Sequence, residues 1–568
     1  KKYNCINQVG IIWLDIAHRI SYCCHYKLTN TSNTTRQQGV MMNLCTQERD
    51  MTLKTQVLII GGGVTGTAIA RDLALRGVHS ILIDRSHINA GASGANHGVL
   101  HSGARYIASD PESSRECREE NALLKKLAPH CIENTGGFYV AVKEDDENYL
   151  ADFPLLCAKC GVPCDPLDIK DVLEMEPALS KDIIAAYRTE DSSIDPFRVS
   201  HENLAYAIKC GHGFLPYTEV KGFEIGNHKI QSVQVRDVLT GRKQTIEAEE
   251  IVNAAGAWVG QVASLANASI EILYSKGTLL VTHSRLAQHM LLRLRPPSDG
   301  DVLCPGGTVS ILGPSSVRLT SPDDIRPTVD EIGHIINQGV PIVPSLNHSR
   351  FIRAFSGVRP LIAKKKAEGT TDDRKISRGF DLIDHSADGT DNFQTIAGGK
   401  LSIFRLMAER VSDQVCIRLK IDAPCRTRHE PLPSTLNCEW TEPGLAPKTW
   451  LEKQQPDDII LCECEMVPKS AVQSILDNSA FQKDSVLLHN IGARSRIGKG
   501  ACQGTYCGLR LTAHLYDRGA FQQDQGIADL KHFSNTRWKG QRAVLFGEQL
   551  KQAELQEAMY CGLFDLEL

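Results

Sequence analysis

A glycine-rich turn between two apolar runs has the spacing of a dinucleotide-binding loop. Gly61, Gly63 and Gly66 follow one apolar run and precede a segment with helical spacing. In such loops the first glycine permits a tight turn, the second lets the backbone approach a pyrophosphate, and the third allows the helix to pack closely on the strand. Asp84 ends the next apolar run, where its carboxylate can accept hydrogen bonds from ribose hydroxyls. The pattern predicts a βαβ unit that binds FAD or NAD.

The segment 91–103 favours FAD as this cofactor. It is long, polar and rich in Gly, Ala and Ser, and it contains Ser93, His97 and His101. Because small side chains let a backbone come close to a ligand, this segment could lie against an extended cofactor.

Four cysteines near the C-terminus form a second candidate site. Cys462 and Cys464 make one close pair, and Cys502 and Cys507 make another. Four thiolates are the ligand set of a [2Fe–2S] cluster, and they would also suit Zn²⁺. A C-x-C pair beside a C-x₄-C pair is atypical of zinc sites, so the spacing favours the iron–sulfur cluster. Four unligated thiols are the alternative.

Composition limits the partners and the number of domains. Of 568 residues 42% are apolar, and the formal net charge of −4 leaves no basic surplus for binding nucleic acid. The length suggests several domains. Of nineteen cysteines, fifteen are scattered along the chain and four form the compact pattern described above, which favours a reducing compartment. No apolar run approaches the ~20 residues of a membrane-spanning helix.

The order of apolar and polar segments predicts an α/β architecture. Strands predicted at 137–142, 230–235 and 251–253 alternate with helices predicted at 114–127 and 196–209.

Composition also divides the chain into five segments. These are a leader at 1–53 that we expect to be disordered or an artefact of the gene model, a body at 54–420, a proline-rich linker at 421–458, a Cys-containing module at 459–515 and a helical tail at 516–568. Within the body, short apolar runs between Gly and Pro at 279–319 favour an antiparallel sheet.

Four ordered motifs give the body a family resemblance. They are His97-Gly-Val-Leu-His101-Ser-Gly-Ala-Arg105-Tyr106, Val252-Asn-Ala-Ala-Gly256, Ser356-Gly-Val-Arg359-Pro-Leu361 and Gly398-Gly-Lys400-Leu401. Over about residues 54–420 the chain resembles the FAD-dependent glycerol-3-phosphate dehydrogenase family. The resemblance implies a Rossmann-like FAD-binding domain that is interleaved with an antiparallel-sheet substrate domain, and the Cys module would add a small C-terminal cluster domain.

The resemblance implies roles for residues within the motifs. Around FAD it places the loop glycines and Asp84 together with Ser93, His97, His101, Ala255, Gly256, Gly398 and Gly399, the last two near the flavin ring.

Arg105, Arg359 and Lys400 fall where the family gathers cations that face the substrate, and Arg353 is a further candidate. A phosphate monoester favours such Arg forks and Lys point charges.

The sequence departs from the family at the base that takes the hydroxyl proton. Some members carry a His soon after a Lys-Gly pair like Lys276-Gly277, but Thr278 follows here. His97 and His101 are the substitutes that the motifs offer.

The Cys module resembles the bacterioferritin-associated-ferredoxin-like [2Fe–2S] module. A chain in which this module is fused to such a body resembles the catalytic subunits of the anaerobic branch of the family. The resemblance implies oxidation of sn-glycerol 3-phosphate to dihydroxyacetone phosphate, with a hydride passing to FAD and electrons leaving through the cluster. It also implies a second flavin subunit, a membrane-anchoring iron–sulfur subunit, and quinone as the eventual acceptor. The protein would then be cytoplasmic and peripheral on the inner membrane.

Two other functions fit the same motifs less closely. One is an FAD-dependent dehydrogenase or oxidase for an amino acid or 2-hydroxy acid, whose substrate is a carboxylate. The other is an electron-transfer subunit that binds FAD and iron without a substrate, although the motifs around Arg359 and Lys400 speak against it.

Overall fold

The computed structural model describes residues 52–323, 325–362, 376–377, 379–434, 452, 455–477 and 487–566. The expected leader lies outside the described residues up to residue 51, and so does much of the expected linker. Among the described helices, none is both long and apolar enough to cross a membrane.

Twenty-two strands are described. In the first half of the chain they are β1 (Thr52–Ile60), β2 (Ser80–Ile83), β3 (Val99–Leu100), β4 (Ile132–Glu133), β5 (Gly137–Val142), β6 (Asp165–Pro166), β7 (Ile183–Thr189), β8 (Ser192–Ile194), β9 (Gly213–Leu215), β10 (Thr218–Gly226), β11 (Lys229–Asp237) and β12 (Lys243–Asn253). In the second half they are β13 (Ile272–Thr282), β14 (Met290–Arg293), β15 (Val302–Gly306), β16 (Val309–Gly313), β17 (Val317–Leu319), β18 (Phe351–Ile362), β19 (Phe380–Asp384), β20 (Phe393–Gly398), β21 (Ile460–Cys462) and β22 (Val467–Pro468).

The described α-helices are α1 (Val64–Leu75), α2 (Pro111–Leu127), α3 (Glu147–Cys160), α4 (Ile169–Met175), α5 (Pro196–Lys209), α6 (Val259–Ser264), α7 (Val329–Gly339), α8 (Phe404–Leu419), α9 (Lys469–Leu476), α10 (Leu487–Ser495), α11 (Thr505–Asp517), α12 (Gln525–Trp538) and α13 (Glu548–Phe564).

The first sheet has a parallel core in the order β20-β12-β1-β2-β9. The apolar run Val57–Ile60 is buried, as expected for a strand covered on both faces. Helix α1 packs against α5 and α8 beside this core. Because parallel strands end at the same edge, the residues that follow β1, β2 and β12 meet there. The predicted βαβ unit is therefore confirmed.

The second sheet is mainly antiparallel and contains the segment 279–319, as predicted. Its order is β17-β13-β16-β15-β14-β5-β7-β6, with β18 paired to β13. The antiparallel register of β13 and β18 sets Ser275 opposite Arg359 and Gly277 opposite Gly357. This pair carries one of the candidate cations to the space between the two sheets.

The C-terminal part has its own apolar core. Leu461 and Cys507 from the Cys module share this core with Phe533 of α12 and with Tyr560 and Phe564 of α13. The module and the predicted tail thus pack as one unit among the described residues.

Candidate functional site

One large cavity, about 2340 Å³ in volume, lies at the carboxyl edge of the parallel strands. Thirteen of the predicted site residues line it: Gly61, Gly63, Asp84, Ser93, His97, His101, Arg105, Ala255, Gly256, Arg359, Gly398, Gly399 and Lys400. Gly66 lies behind the loop, and the four cysteines lie beyond the cavity wall.

The glycine loop can adopt its path only because side chains are absent. Gly61 has φ +115°, and a Cβ there would overlap the carbonyl of Ala254 at the end of the neighbouring strand. A Cβ on Gly66 would overlap the carbonyl of Gly61, so the helix packs against its own loop. The Ser93 hydroxyl accepts a hydrogen bond from the N–H of Val64 at 3.0 Å. The start of α1 therefore faces the segment that we predicted to lie against the cofactor.

Asp84 holds the loop from the second strand. One of its carboxylate oxygens accepts the N–H of Gly62 at 2.7 Å, and the other accepts the N–H of Ser86 at 2.7 Å. Burial raises the pKa of Asp84, and these two hydrogen bonds oppose the shift. A carboxylate has about four lone-pair sites, so two remain for a ribose.

Two further glycine turns border the cavity. Gly256 has φ +58° and follows β12. Gly398 and Gly399 have φ +80° and +81°, and a Cβ on Gly399 would overlap the sulfur of Met407. Since L side chains rarely adopt these conformations, both turns keep the backbone open toward the cavity.

These features fit an extended dinucleotide. The loop, the acid after β2 and the two further glycine turns line a single cavity whose volume is large enough for FAD. Gly61, Gly63, Asp84, Ser93, Ala255 and Gly256 would hold its adenosine and phosphate parts, and Gly398 and Gly399 would lie toward the flavin end.

The pairing of β3 with β8 creates a buried histidine–aspartate contact. Leu100 lies opposite Ser192, so the next pair in the register is His101 and Asp191. His101 Nδ1 lies 3.4 Å from Asp191 Oδ1, a long contact between two buried side chains. The His101 ring also packs edge-on against Tyr106, with centroids 5.3 Å apart.

Asp191 is held in its charged form by its neighbours. Burial alone would raise its pKa, but the contact with His101 and hydrogen bonds from Ser102 (2.6 Å) and Thr189 (2.7 Å) keep that pKa below its ordinary value. Burial lowers the pKa of His101, and Asp191 partly offsets this shift. His101 is therefore neutral near pH 7 and able to accept a proton.

Arg359 is fixed across the β13–β18 pair. Its guanidinium donates to the Ser315 carbonyl at 3.1 Å and to the Ser275 hydroxyl at 3.4 Å. A Cβ on Gly277 would overlap this guanidinium, so the glycine supplies the space in which it lies.

Arg105 and Lys400, the other two candidate cations, lie near His97 and His101. Arg105 lies on a short turn and reaches Asp301 at 3.4 Å, while the Lys400 ammonium lies 5.1 Å from the Tyr106 ring centroid. The charges of Arg105 and Arg359 act on His97, and those of Arg105 and Lys400 act on His101. The cations therefore gather around the two histidines.

The four cysteines of the C-terminal module are neighbours in space. Side-chain contacts at hydrogen-bonding range join Cys462 to Cys507, Cys464 to Cys502, and Cys502 to Cys507. Across the described ranges, no three or more His, Cys, Asp or Glu side chains converge in the way that one metal ion requires. A [2Fe–2S] cluster instead needs two thiolates for each of two irons, and the thiol pairs match that donor chemistry.

Some residues of the site had no signal in the sequence. Asp191 is 90 positions from His101, and only the register of β3 and β8 brings the two together. The sequence analysis offered Arg353 as a further cation that could face the substrate. Its guanidinium instead donates to the carbonyl of Arg537 at 2.8 Å, so it points to the C-terminal part.

Comparison with known proteins agrees with this arrangement. The family model for FAD dependent oxidoreductases matches residues 56–401. Among solved structures, glycerol-3-phosphate dehydrogenase from Bacillus halodurans complexed with FAD has a TM-score of 0.63 at 18% identity, covering 87% of this chain and 96% of that chain. The fold and the cavity thus define an oxidoreductase of the FAD-dependent class.

Sequence relatives narrow the class. The chain is 38% identical to the subunit designated A of anaerobic glycerol-3-phosphate dehydrogenase from Escherichia coli (strain K12), over 90% of this chain and 97% of the relative. It is 35% identical to the subunit designated A1 of the enzyme of the same name from Haloferax volcanii, over 89% and 90% respectively. The chain belongs to this family of anaerobic glycerol-3-phosphate dehydrogenase subunits, which confirms the resemblance of its motifs.

Proposed function

We propose that this protein oxidises sn-glycerol 3-phosphate to dihydroxyacetone phosphate with FAD as the first electron acceptor. The observation that carries the proposal is the gathering of Arg105, Arg359 and Lys400 around His97 and His101 in the cavity that the glycine loop opens. The names of the relatives support the same substrate.

The cations bind and orient the phosphate. Arg359 presents a rigid fork because contacts with Ser275 of β13 and with Ser315 fix its position, and Lys400, above the Tyr106 ring, adds a point charge. Charge-assisted contacts of this kind hold a dianionic group far better than a neutral one. A carboxylate substrate would leave part of this positive charge uncompensated.

His101 is the base that we assign to the substrate hydroxyl. Its imidazole is neutral near pH 7, and Asp191 stabilises the imidazolium that proton transfer creates. FAD, when bound, accepts the hydride from C2. Gly398 and Gly399 line the cavity where the flavin end of the cofactor would lie.

Cys462, Cys464, Cys502 and Cys507 would hold a [2Fe–2S] cluster, which would supply one-electron transfer away from the flavin. The contacts among the four thiols support this assignment, since a cluster needs all four. The cluster would pass electrons on singly.

The names of the relatives, each of which designates one lettered subunit of a larger enzyme, support an assembly. Its other members would be a membrane-anchoring iron–sulfur subunit that delivers electrons to quinone, together with a second flavin subunit. The protein would then lie in the cytoplasm, attached peripherally to the inner membrane.

Anaerobic mixing with glycerol 3-phosphate tests both parts of the proposal. The flavin absorbance should bleach, and a reduced-cluster EPR signal should appear with it. Lactate and proline serve as carboxylate controls. Bleaching by a control but not by glycerol 3-phosphate would overturn the substrate, and bleaching without any EPR signal would overturn the cluster.

A further inference from the structure

Four cations form one side of the cavity next to the C-terminal part. This cationic wall consists of Arg353, Arg496, Lys499 and Arg537. Arg353 comes from β18, and the other three come from the C-terminal part. Gln503, which directly follows Cys502, lines the cavity beside them. Gln503 thus brings the loop that carries Cys502 to the edge of the cavity.

The wall carries more positive than negative charge. Arg496 forms an ion pair with Glu465 at 2.9 Å. Arg353 donates to a main-chain carbonyl, and Lys499 donates to the Ala493 carbonyl at 3.3 Å. No ion pair among the described residues involves Arg353, Lys499 or Arg537.

Burial has the largest effect on the pKa of two of these groups. Burial, followed by the charge of Arg537, lowers the pKa of Arg353 to about 9. Burial lowers the pKa of Lys499 to about 8 despite the nearby Asp195. Asp195 and Glu465 balance part of the positive charge of the wall, and because buried cations are costly the remainder favours a further negative charge nearby.

Arg537 is the member of the wall that faces the cysteines. It lies at the end of α12 over the loop 498–504, and its guanidinium donates to Gln503 Oε1 at 3.0 Å. Its Nε is buried and has no hydrogen-bond partner in the described part of the chain. Its charge acts directly on Cys502 and Cys507.

We propose that Arg537 makes the cysteine quartet a better electron acceptor for the flavin cavity. This inference rests on the cluster in the proposed function. A cluster with four thiolate ligands is negatively charged and gains one more negative charge on reduction. The Arg537 guanidinium, which is partly buried beside the residue that follows Cys502, stabilises that added charge, so the reduction potential rises. Electrons then leave the cavity by way of Gln503 and Arg537.

The electron count is balanced by two successive transfers. The substrate loses a hydride, which carries two electrons, and its hydroxyl proton goes to the base. The cluster takes these electrons one at a time and gives each to a one-electron acceptor, which in the assembly is a redox centre of another subunit. Arg537 changes the energy of the singly reduced cluster and takes no proton itself.

An EPR-monitored redox titration of the purified holoenzyme tests the proposal with Arg537→Gln. We expect the cluster midpoint to become more negative, with unchanged iron and FAD content and unchanged bleaching of the flavin by substrate. A tenfold weaker electron affinity would appear as a shift of about 59 mV for this one-electron couple. Arg537→Lys keeps the charge and should restore most of the potential.

Lys539→Gln is the matched control, because it removes an exposed positive charge two residues away. Its midpoint should equal that of the unmodified protein. If Arg537→Gln cannot be obtained with iron, Arg353→Gln should show a smaller shift of the same sign, and an unchanged midpoint there would overturn the proposal. Iron-loaded Arg537→Gln with an unchanged midpoint overturns the role of Arg537 alone. An unmodified holoenzyme without a cluster signal overturns the cluster as well.

Discussion

Gly277 decides where the guanidinium of Arg359 can lie. An added Cβ would overlap that group, so Gly277→Ala should displace it. We expect the KM for glycerol 3-phosphate to rise about tenfold, because a hydrogen bond to a charged group contributes about 1.5–3 kcal/mol. FAD content should stay the same. Steady-state kinetics would show this, and Gly333→Ala is the control because its Cβ would meet nothing within 4 Å. An unchanged KM in Gly277→Ala would contradict the geometry.

Lys400 should matter for the substrate but not for the flavin. Lys400→Met keeps the chain length and removes the charge above Tyr106. We expect reduction of the flavin by glycerol 3-phosphate to slow at least tenfold while the bound flavin remains. Stopped-flow absorbance measures the rate. Unchanged kinetics would favour an electron-transfer subunit without a substrate.

If His101 is the base, the pH profile of kcat/KM should have an acidic limb. The base must be neutral, so kcat/KM should fall as the pH drops through the His101 pKa, which burial holds below its ordinary ~6.5. Asp191 raises that pKa, so Asp191→Asn should move the limb to lower pH and reduce kcat. Ser102→Ala removes one hydrogen bond to Asp191 but keeps its charge, so its limb should stay in place. A limb that does not move in Asp191→Asn would rule out this pairing.

At the scale of elements, Arg405 joins two helices behind the site. It comes from α8 and contacts Glu120 of α2 at 2.5 Å and Glu409 of its own helix at 2.6 Å. Arg405→Met should lower the free energy of unfolding by about 3–5 kcal/mol, because the buried Glu120 carboxylate loses its ion-pair partner, whereas Glu409 keeps Arg428 at 3.4 Å. Urea denaturation measures this. Lys551→Met breaks an exposed pair with Glu548 and should cost at most about 1 kcal/mol. Equal losses in the two variants would argue against a buried network.

Local patterns in the sequence predicted several elements closely. The helix at 196–209 and the strand at 137–142 have the predicted bounds, since Pro and Gly mark their ends. The predicted helix at 114–127 begins earlier, at Pro111, where the Asp110 side chain caps it by accepting the N–H of Ser113. Elements that depend on distant partners were not predictable in the same way. Strand β8 is three residues long and becomes important only through its pairing with β3.

At the scale of the molecule, the last helix supports the Cys module. Tyr560 of α13 donates to the Thr505 carbonyl, and Gln556 donates to the Thr505 hydroxyl at 2.6 Å. Ending the chain after Gly547 should therefore lower iron content while the bound FAD and its reduction by substrate persist. Iron analysis and flavin absorbance measure the two effects. Leu555→Ala, at an exposed position of the same helix, should retain iron. Retained iron in the truncated chain would contradict this supporting role.

The sequence predicted the cysteines and the cations as separate sets, but not their spatial relation. Arg353 resembles a substrate cation in sequence because it precedes Arg359 by six residues. Its carbonyl partner at Arg537 is 184 positions away, and no local pattern encodes such a contact.

The length of strand β18 sets the distance between the proposed substrate site and the C-terminal part. Arg359 lies near one end of it, whereas Arg353 and Ala354, whose N–H donates to the Gly540 carbonyl at 2.8 Å, lie near the other. Six residues of extended chain span about 20 Å, and an even spacing keeps both arginines on one face. The strand thus fixes the separation between the proposed substrate site and the proposed path for electrons. Substitutions along it can be absorbed, but a single-residue insertion or deletion would turn one arginine to the opposite face. We expect relatives to vary in the composition of this strand far more readily than in its length.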